Sequence, residues 1–187
     1  MGAAAARRAV EEELRRESGY DWVLSCGFCG ALDPQLRRAD VLVGDDSDPS
    51  IIGLSQPFGG RPARIHCAES VITTATMKAD LRRQSGADAV EMESGVVRAI
   101  CAGAGIRSGT LRVVSDQADE DLPLDFNEMM TKRGGVHFGK LVMEIARRPR
   151  MIPGLMRLQK HSKEAARALT AVLDPLVSAL GDVDQSP

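Results

Sequence analysis

Aromatic residues are scarce in this chain: one Trp, one Tyr and four Phe, 3% of 187 residues. Recognition of RNA by stacking bases on aromatic rings is therefore not expected. Neither sign of charge dominates, since 24 Lys and Arg stand against 26 Asp and Glu for a net charge of −2. That balance gives no general electrostatic attraction for nucleic acid. No apolar run approaches the roughly 20 residues that span a bilayer. The Ala-rich start turns at once to Arg and Glu, unlike a secretory signal peptide, so a cytoplasmic location is expected. Four cysteines form no disulfide framework. Cys26 and Cys29 are spaced C-x-x-C, but a redox pair should open a helix and a structural zinc site needs a second pair. They read as small buried residues, and no metal or cofactor is expected.

What is present is apolar residue enough, 43%, for one globular domain with a core. The chain is organised around residues 87–119. Glu91 and Glu93 follow one short apolar run and Asp116 follows another, with a helix over 94–104 between them. The pattern predicts a β-α-β unit whose parallel strands bring their carboxyl ends to one edge, where open α/β sheets bind ligands. An ionised carboxylate accepts hydrogen bonds, which suits Glu93 to sugar hydroxyls. A protonated carboxyl can pass a proton to a leaving group, which suits Asp116. The alternative is that these acids are solvated strand ends or helix caps.

Val90-Glu91-Met92-Glu93-Ser94-Gly95 and Val113-Val114-Ser115-Asp116-Gln117-Ala118-Asp119 together resemble the paired signature of the nucleoside phosphorylase and nucleosidase superfamily. Val23 to Leu32, followed by Asp40 to Val43, resembles the same superfamily's Gly-rich segment. The short middle and the Arg-Arg-Pro tail are most similar to the hopanoid-associated phosphorylases. The resemblance implies an α/β fold in three layers, a mixed and largely parallel twisted sheet flanked by helices. Residues 1–146 would form that domain and 147–187 a helical C-terminal extension. It implies cleavage of the N-glycosidic bond of a purine nucleoside, an adenosyl compound such as adenosylhopane. Asp116 would protonate N7 of the departing base, with Ser115 orienting it. Glu93 would hold the ribose hydroxyls, Met92 would pack on the sugar, and Glu91, Gly27, Phe28, Val71 and Ile72 would line the pocket. The nucleophile would be water or phosphate. Because Ser25 and Phe28 occupy the phosphate neighbourhood, no arginine is expected there. The superfamily also implies a homo-oligomer. A different class of function stays open beside this one: a non-catalytic nucleoside-binding module, or an inactive homologue lacking the superfamily's first segment, which is expected to be missing before Met1.

In chain order, a helix is predicted over 1–16, a strand over 22–26, and a tight turn or close ligand approach at Gly27 and Gly30. Strands follow at 40–44, 51–54 and 64–68. A helix over 74–84 is capped by Thr74, with Met77 and Leu81 on one face. The run 111–114 reads as a central strand. Helices are predicted over 136–147 and over 154–180, the latter interrupted by Pro175, with disorder from Gly181 onward. Arg147, Arg148, Arg150, Arg157, Lys160 and Lys163 share that region with apolar residues. That patch is either a contact for an anionic membrane surface or a solvated helix packed on the sheet.

Overall fold

The computed structural model of the chain describes residues 2–123 and 152–183. The predicted helix over 136–147 and the basic residues Arg147, Arg148 and Arg150 lie outside them. Five helices and six strands are described: α1 (Ala3–Arg16), β1 (Trp22–Ala31), β2 (Val41–Gly44), α2 (Pro49–Ser55), β3 (Arg61–Ala63), β4 (Ile65–Cys67), α3 (Ala75–Ser85), β5 (Ala89–Glu91), α4 (Ser94–Ala104), β6 (Arg107–Asp116) and α5 (Ile152–Val183). A 3-10 turn, Gln56–Phe58, follows α2.

The strands form one mixed sheet in the order β3-β2-β6-β1-β5-β4. Three of its five pairings are parallel and two antiparallel. Helices flank it, so the fold class is the expected one. The local topology is not. β6 runs parallel to β1, whereas β5 runs antiparallel to β1. β5 and β6 therefore point in opposite directions with β1 between them. The expected β-α-β unit of neighbouring parallel strands does not form. Periodicity identifies a strand but carries no information on its direction.

β1 pairs with β6 from Trp22 to Gly30 and is twice as long as the predicted strand. The guanidinium of Arg107 stacks on the Trp22 ring, 3.6 Å from its centroid, where the two strands begin. Gly27 and Gly30 thus lie inside a strand, not in a turn. At Gly30 a side chain crosses close over the backbone, whereas a Cβ at Gly27 would meet its neighbour at ordinary contact distance. A Cβ on Gly30 would sit 3.0 Å from Asp116 Oδ2, and one on Gly27 would sit 3.7 Å from Arg112 Nη1. Cys26 and Cys29 share the same strand. Three extended residues separate their Cα atoms by roughly 10 Å, beyond disulfide reach. Burial pushes both thiols up, away from the reactive thiolate.

Residues alternate across the sheet. Leu111 and Val113 of β6, with Val41 and Val43 of β2, pack against Ile51 of α2 and Ala165, Val172, Leu176 and Leu180 of α5. Val114, Leu42, Cys29, Ala31 and Ala89 form a second cluster. α4 packs on β1 and β6, and α1 packs on α4.

Three local expectations change. Residues 49–55 are helical rather than a strand, because Asp48 caps the helix by accepting from Ser50 N and Pro49 occupies its first turn. In α3 the Thr74 cap holds, accepting from Met77 N, but Met77 is exposed and Lys78 is the buried residue. α5 continues through Pro175 to Val183. Proline removes one helical hydrogen bond at a cost of about 3 kcal/mol. Burial of Val172, Leu176 and Leu180 on the sheet offsets it, at roughly 1.5–3 kcal/mol for each side chain.

Leu176 is fully buried and its neighbour Val177 is exposed. Leu176→Ala is expected to lower unfolding free energy by about 2–5 kcal/mol in urea titrations, and Val177→Ala by less than about 0.5 kcal/mol. Equal losses would show that α5 does not dock by this face.

Candidate functional site

Asp116 is the last residue of β6. Opposite it the β1 register shifts: Cys29 pairs with Val114, but Gly30 pairs with Asp116, so Ser115 is the extra residue of a bulge. A bulge re-aims the side chains beside it. Here it brings the Asp116 carboxylate over Gly30. Ser115 Oγ donates to Asp116 Oδ1 at 2.7 Å and stands 3.2 Å from Cys29 O. Lys78 Nζ donates to Asp116 Oδ2 at 2.5 Å. The Asp116 side chain is 13% exposed and that of Lys78 is fully buried. Asp116 and Ser115 form part of the wall of a cleft of about 560 Å³, which Arg38, Arg157 and His161 also line.

The second group of acids gathers around Arg112. This residue lies within β6 and is 1% exposed. Its guanidinium has five N–H donors. Nε and Nη2 donate to Glu91 Oε2 at 3.2 and 2.6 Å. Nη1 donates to Ser25 O at 2.6 Å and Leu111 O at 3.0 Å, and Nη2 also donates to Ser25 Oγ at 2.9 Å. The expectation that no arginine stands near Ser25 is therefore wrong. An arginine reaches it from another strand, which spacing along the chain does not reveal.

Glu91 is buried, and its carboxylate is occupied within the protein. It accepts from the backbone N of Glu93 at 2.8 Å, from Ser94 N at 2.9 Å and from Ser94 Oγ at 2.7 Å, besides Arg112. Burial pushes the Glu91 carboxyl up, but the Arg112 charge and these hydrogen bonds outweigh burial, and it is held below the usual carboxylate range. The chain turns out of β5 at Met92, and Glu93 stands at the cap of α4 without capping it. The Glu93 side chain is one-quarter exposed, with Oε2 3.8 Å from Arg112 Nη2. Met92 is half-buried. Phe28 is 46% exposed on β1. Ile72 packs against the small cluster of Leu32, Ala87 and Val90, and Val71 is half-buried beside it in sequence.

The structure thus gathers four of the predicted residues into two groups, and Glu93, Met92, Gly27, Phe28, Val71 and Ile72 do not line the cleft of Asp116. Glu91 and Glu93 meet at Arg112; Ser115 and Asp116 meet at Lys78. β1 lies between, with Val90 paired to Gly30 on one edge and Asp116 on the other. Two strand spacings, roughly 10 Å, separate those backbones. Lys78 and Arg112 were not singled out from the sequence. Arg112 carries a faint signal, a charge within the apolar run Leu111 to Val114. Lys78 carries none, since a lysine in a polar helix reads as surface. Among the described residues, no three His, Cys, Asp or Glu side chains lie together as metal ligands.

Residues 60–147 match the family described as Phosphorylase superfamily. No curated protein matches the chain in sequence. Solved structures share its fold at low identity. The S-adenosylhomocysteine nucleosidase of Streptococcus pyogenes, in complex with 5-methylthiotubericidin, aligns at TM-score 0.70 and 15% identity over 96% of this chain and 76% of its own. The futalosine hydrolase of Helicobacter pylori aligns at 0.68 and 18%, again over 96% and 76%. The 5′-methylthioadenosine/S-adenosylhomocysteine nucleosidase of Campylobacter jejuni aligns at 0.59 and 22%, over 68% of this chain and 69% of its own.

Removing one partner of the Glu91–Arg112 pair leaves a buried charge, so Glu91→Leu is expected to cost about 3–5 kcal/mol, largely recovered in Glu91→Leu/Arg112→Met. Because the folded Glu91 titrates below its unfolded value, its stabilisation is complete above about pH 4.3 and is lost as pH falls through the lower folded value. Denaturant titrations across pH 3–6, roughly the carboxylate range, should show a steeper acid loss in wild type than in the double variant. Equal slopes would remove Glu91 as the cause.

Proposed function

We propose that the chain cleaves the N-glycosidic bond of a purine nucleoside, with Asp116 protonating the base as it leaves. The observation that carries this is the bulge beside Gly30, which holds the Asp116 carboxylate between Ser115 and Lys78 at the wall of a cleft. Without a proton the C–N bond would break to an anionic base; general acid catalysis lowers that barrier, typically by ~10²–10⁴-fold. Glu93, partly exposed, accepts hydrogen bonds from the ribose hydroxyls, and Met92 packs on the sugar. Glu91 supports this site from beneath by fixing the turn that presents Glu93. The roughly 10 Å between the two backbones spans a nucleoside.

Water is the nucleophile. All five N–H donors of Arg112 are engaged by Glu91, Ser25 and Leu111, which leaves that guanidinium no donor for phosphate. The substrate class is an adenosyl compound. Adenosylhopane belongs to that class, and its apolar portion has a counterpart in exposed Ile152 and Met156 on α5, beside Arg157 and Lys160. On that reading α5 lies against anionic lipid, and the protein co-floats with phosphatidylglycerol liposomes; protein left at the bottom of the gradient removes the membrane contact. No described helix is long and apolar enough to cross a membrane.

Chromatography of adenine released from 5′-methylthioadenosine and S-adenosylhomocysteine, with and without phosphate, tests the reaction. 5-Methylthioribose and S-ribosylhomocysteine, not their 1-phosphates, should appear in both conditions, and Asp116→Asn should lower kcat about 10²–10⁴-fold. An Asp116→Asn variant as active as wild type would sink the assignment, and a requirement for phosphate would replace water as nucleophile.

A further inference from the structure

We propose that Lys78 is the residue that positions Asp116 for proton transfer, an inference that rests on the glycosidic reading above. Lysine is almost never fully buried unless paired, yet the Lys78 side chain has no exposed surface. Its ammonium carries three N–H donors, and each has an acceptor. Nζ donates to Asp116 Oδ2 at 2.5 Å, to Gln117 O at 2.7 Å and to Glu120 O at 2.9 Å. All three acceptors belong to one stretch of chain. Glu120 N also donates to Gln117 O at 3.2 Å, so Lys78 seals a turn from the inside. One cation therefore sets both the direction of the Asp116 carboxylate and the path of the loop that follows it.

The first residue of α3 and Thr73 just before the helix hold the same loop. Ala75 N donates to Asp121 Oδ1 at 2.8 Å, and Leu122 N donates to Thr73 O at 2.8 Å. Gln117 N donates to Glu120 Oε2, and Arg38 pairs with the other oxygen of Glu120. These contacts hold the far side of the loop, at Glu120, Asp121 and Leu122. They do not touch the Asp116 carboxylate. Only Lys78 and Ser115 do so among the hydrogen bonds of the described residues, and they take different oxygens.

A stability role alone does not account for a buried cation, since apolar residues of similar volume serve stability as well or better. The chemistry gives a reason. Asp116 first takes up a proton from solvent at the cleft; when it protonates the base, that O–H bond breaks, an N–H bond forms on the purine, and the electron pair stays on the carboxylate, which restores its ion pair with Lys78. That charge develops 2.5 Å from Lys78 Nζ, a positive group already in place. Lys78 touches neither base nor sugar; it acts through Asp116.

The test uses the full chain carrying Lys78→Ala, and Lys78→Gln in case the first variant does not fold. Adenine release and amide exchange of residues 117–122 are each measured with and without propylamine, a small cation that fits the emptied site. Tetramethylammonium, which has no N–H, is the control. The expected result is a kcat about 10²-fold lower with KM within about threefold of wild type, and recovery of at least about tenfold in kcat with propylamine only. Exchange at 117–122 should quicken and slow again with the amine. A kcat within about twofold of wild type overturns the proposal, as does amide exchange that the substitution leaves unchanged. If wild type releases no base, the glycosidic reading fails by itself, and amine-reversible exchange then supports the hold of Lys78 on the Asp116 loop independently.

Discussion

One buried guanidinium organises the centre of this protein. Arg112 sits inside β6 with every N–H satisfied, and its partners come from three places: Ser25 on β1, Leu111 on its own strand and Glu91 at the end of β5. A buried charge is tolerated only when its geometry is complete. That requirement ties the three strands to one another more strictly than apolar contact does, because apolar packing has no direction and hydrogen bonds do. It also leaves Glu91 facing the first turn of α4. The Glu91 carboxylate accepts from Ser94 N and Ser94 Oγ, so the helix begins where the ion pair ends. Glu93 is presented at that start.

Asp116 depends on the same pair of strands in another way. Four residues separate it from Arg112, and an unbroken strand would direct both side chains to one face. The bulge at Ser115 changes that count and brings Asp116 over Gly30, against Lys78. Two charged groups on one strand thus receive separate surroundings: Arg112 a closed ionic cluster, Asp116 a position at the rim of a cleft. On the proposed reaction, the carboxyl that exchanges protons with a ligand has to be reached by it, and the ion pair that supports the site has to be shielded. The bulge serves both needs within six residues.

Much of the secondary structure was legible in the residues. α1, α3, α4, β2 and β4 fall within a residue or two of their predicted spans, because a cap such as Thr74 or a stop such as Gly105 is a local signal. β1 is longer than its predicted span because Gly27 and Gly30, which read locally as a tight turn or a close ligand approach, lie within the strand. Glycine suits a turn, but it equally suits a strand over which another side chain passes closely, and at Gly30 that choice depends on Asp116, more than 80 residues away. Pro175 likewise reads locally as an interruption yet lies inside α5. Its local cost is real, and burial of the residues around it on the sheet overrides that cost.

The order of acids, apolar runs and glycines along the chain determined most of the element types, residues 51–54 excepted, and the resemblance of its motifs carried the class of fold. Tertiary structure alone decided the direction of β5, the bulge beside Gly30, and the partners of each charge. Lys78 meets Asp116 across 38 residues and Arg112 meets Glu91 across 21. Neighbours along the chain set helix and strand preference, whereas the counter-ion of a buried charge is settled by which distant segments share the interior.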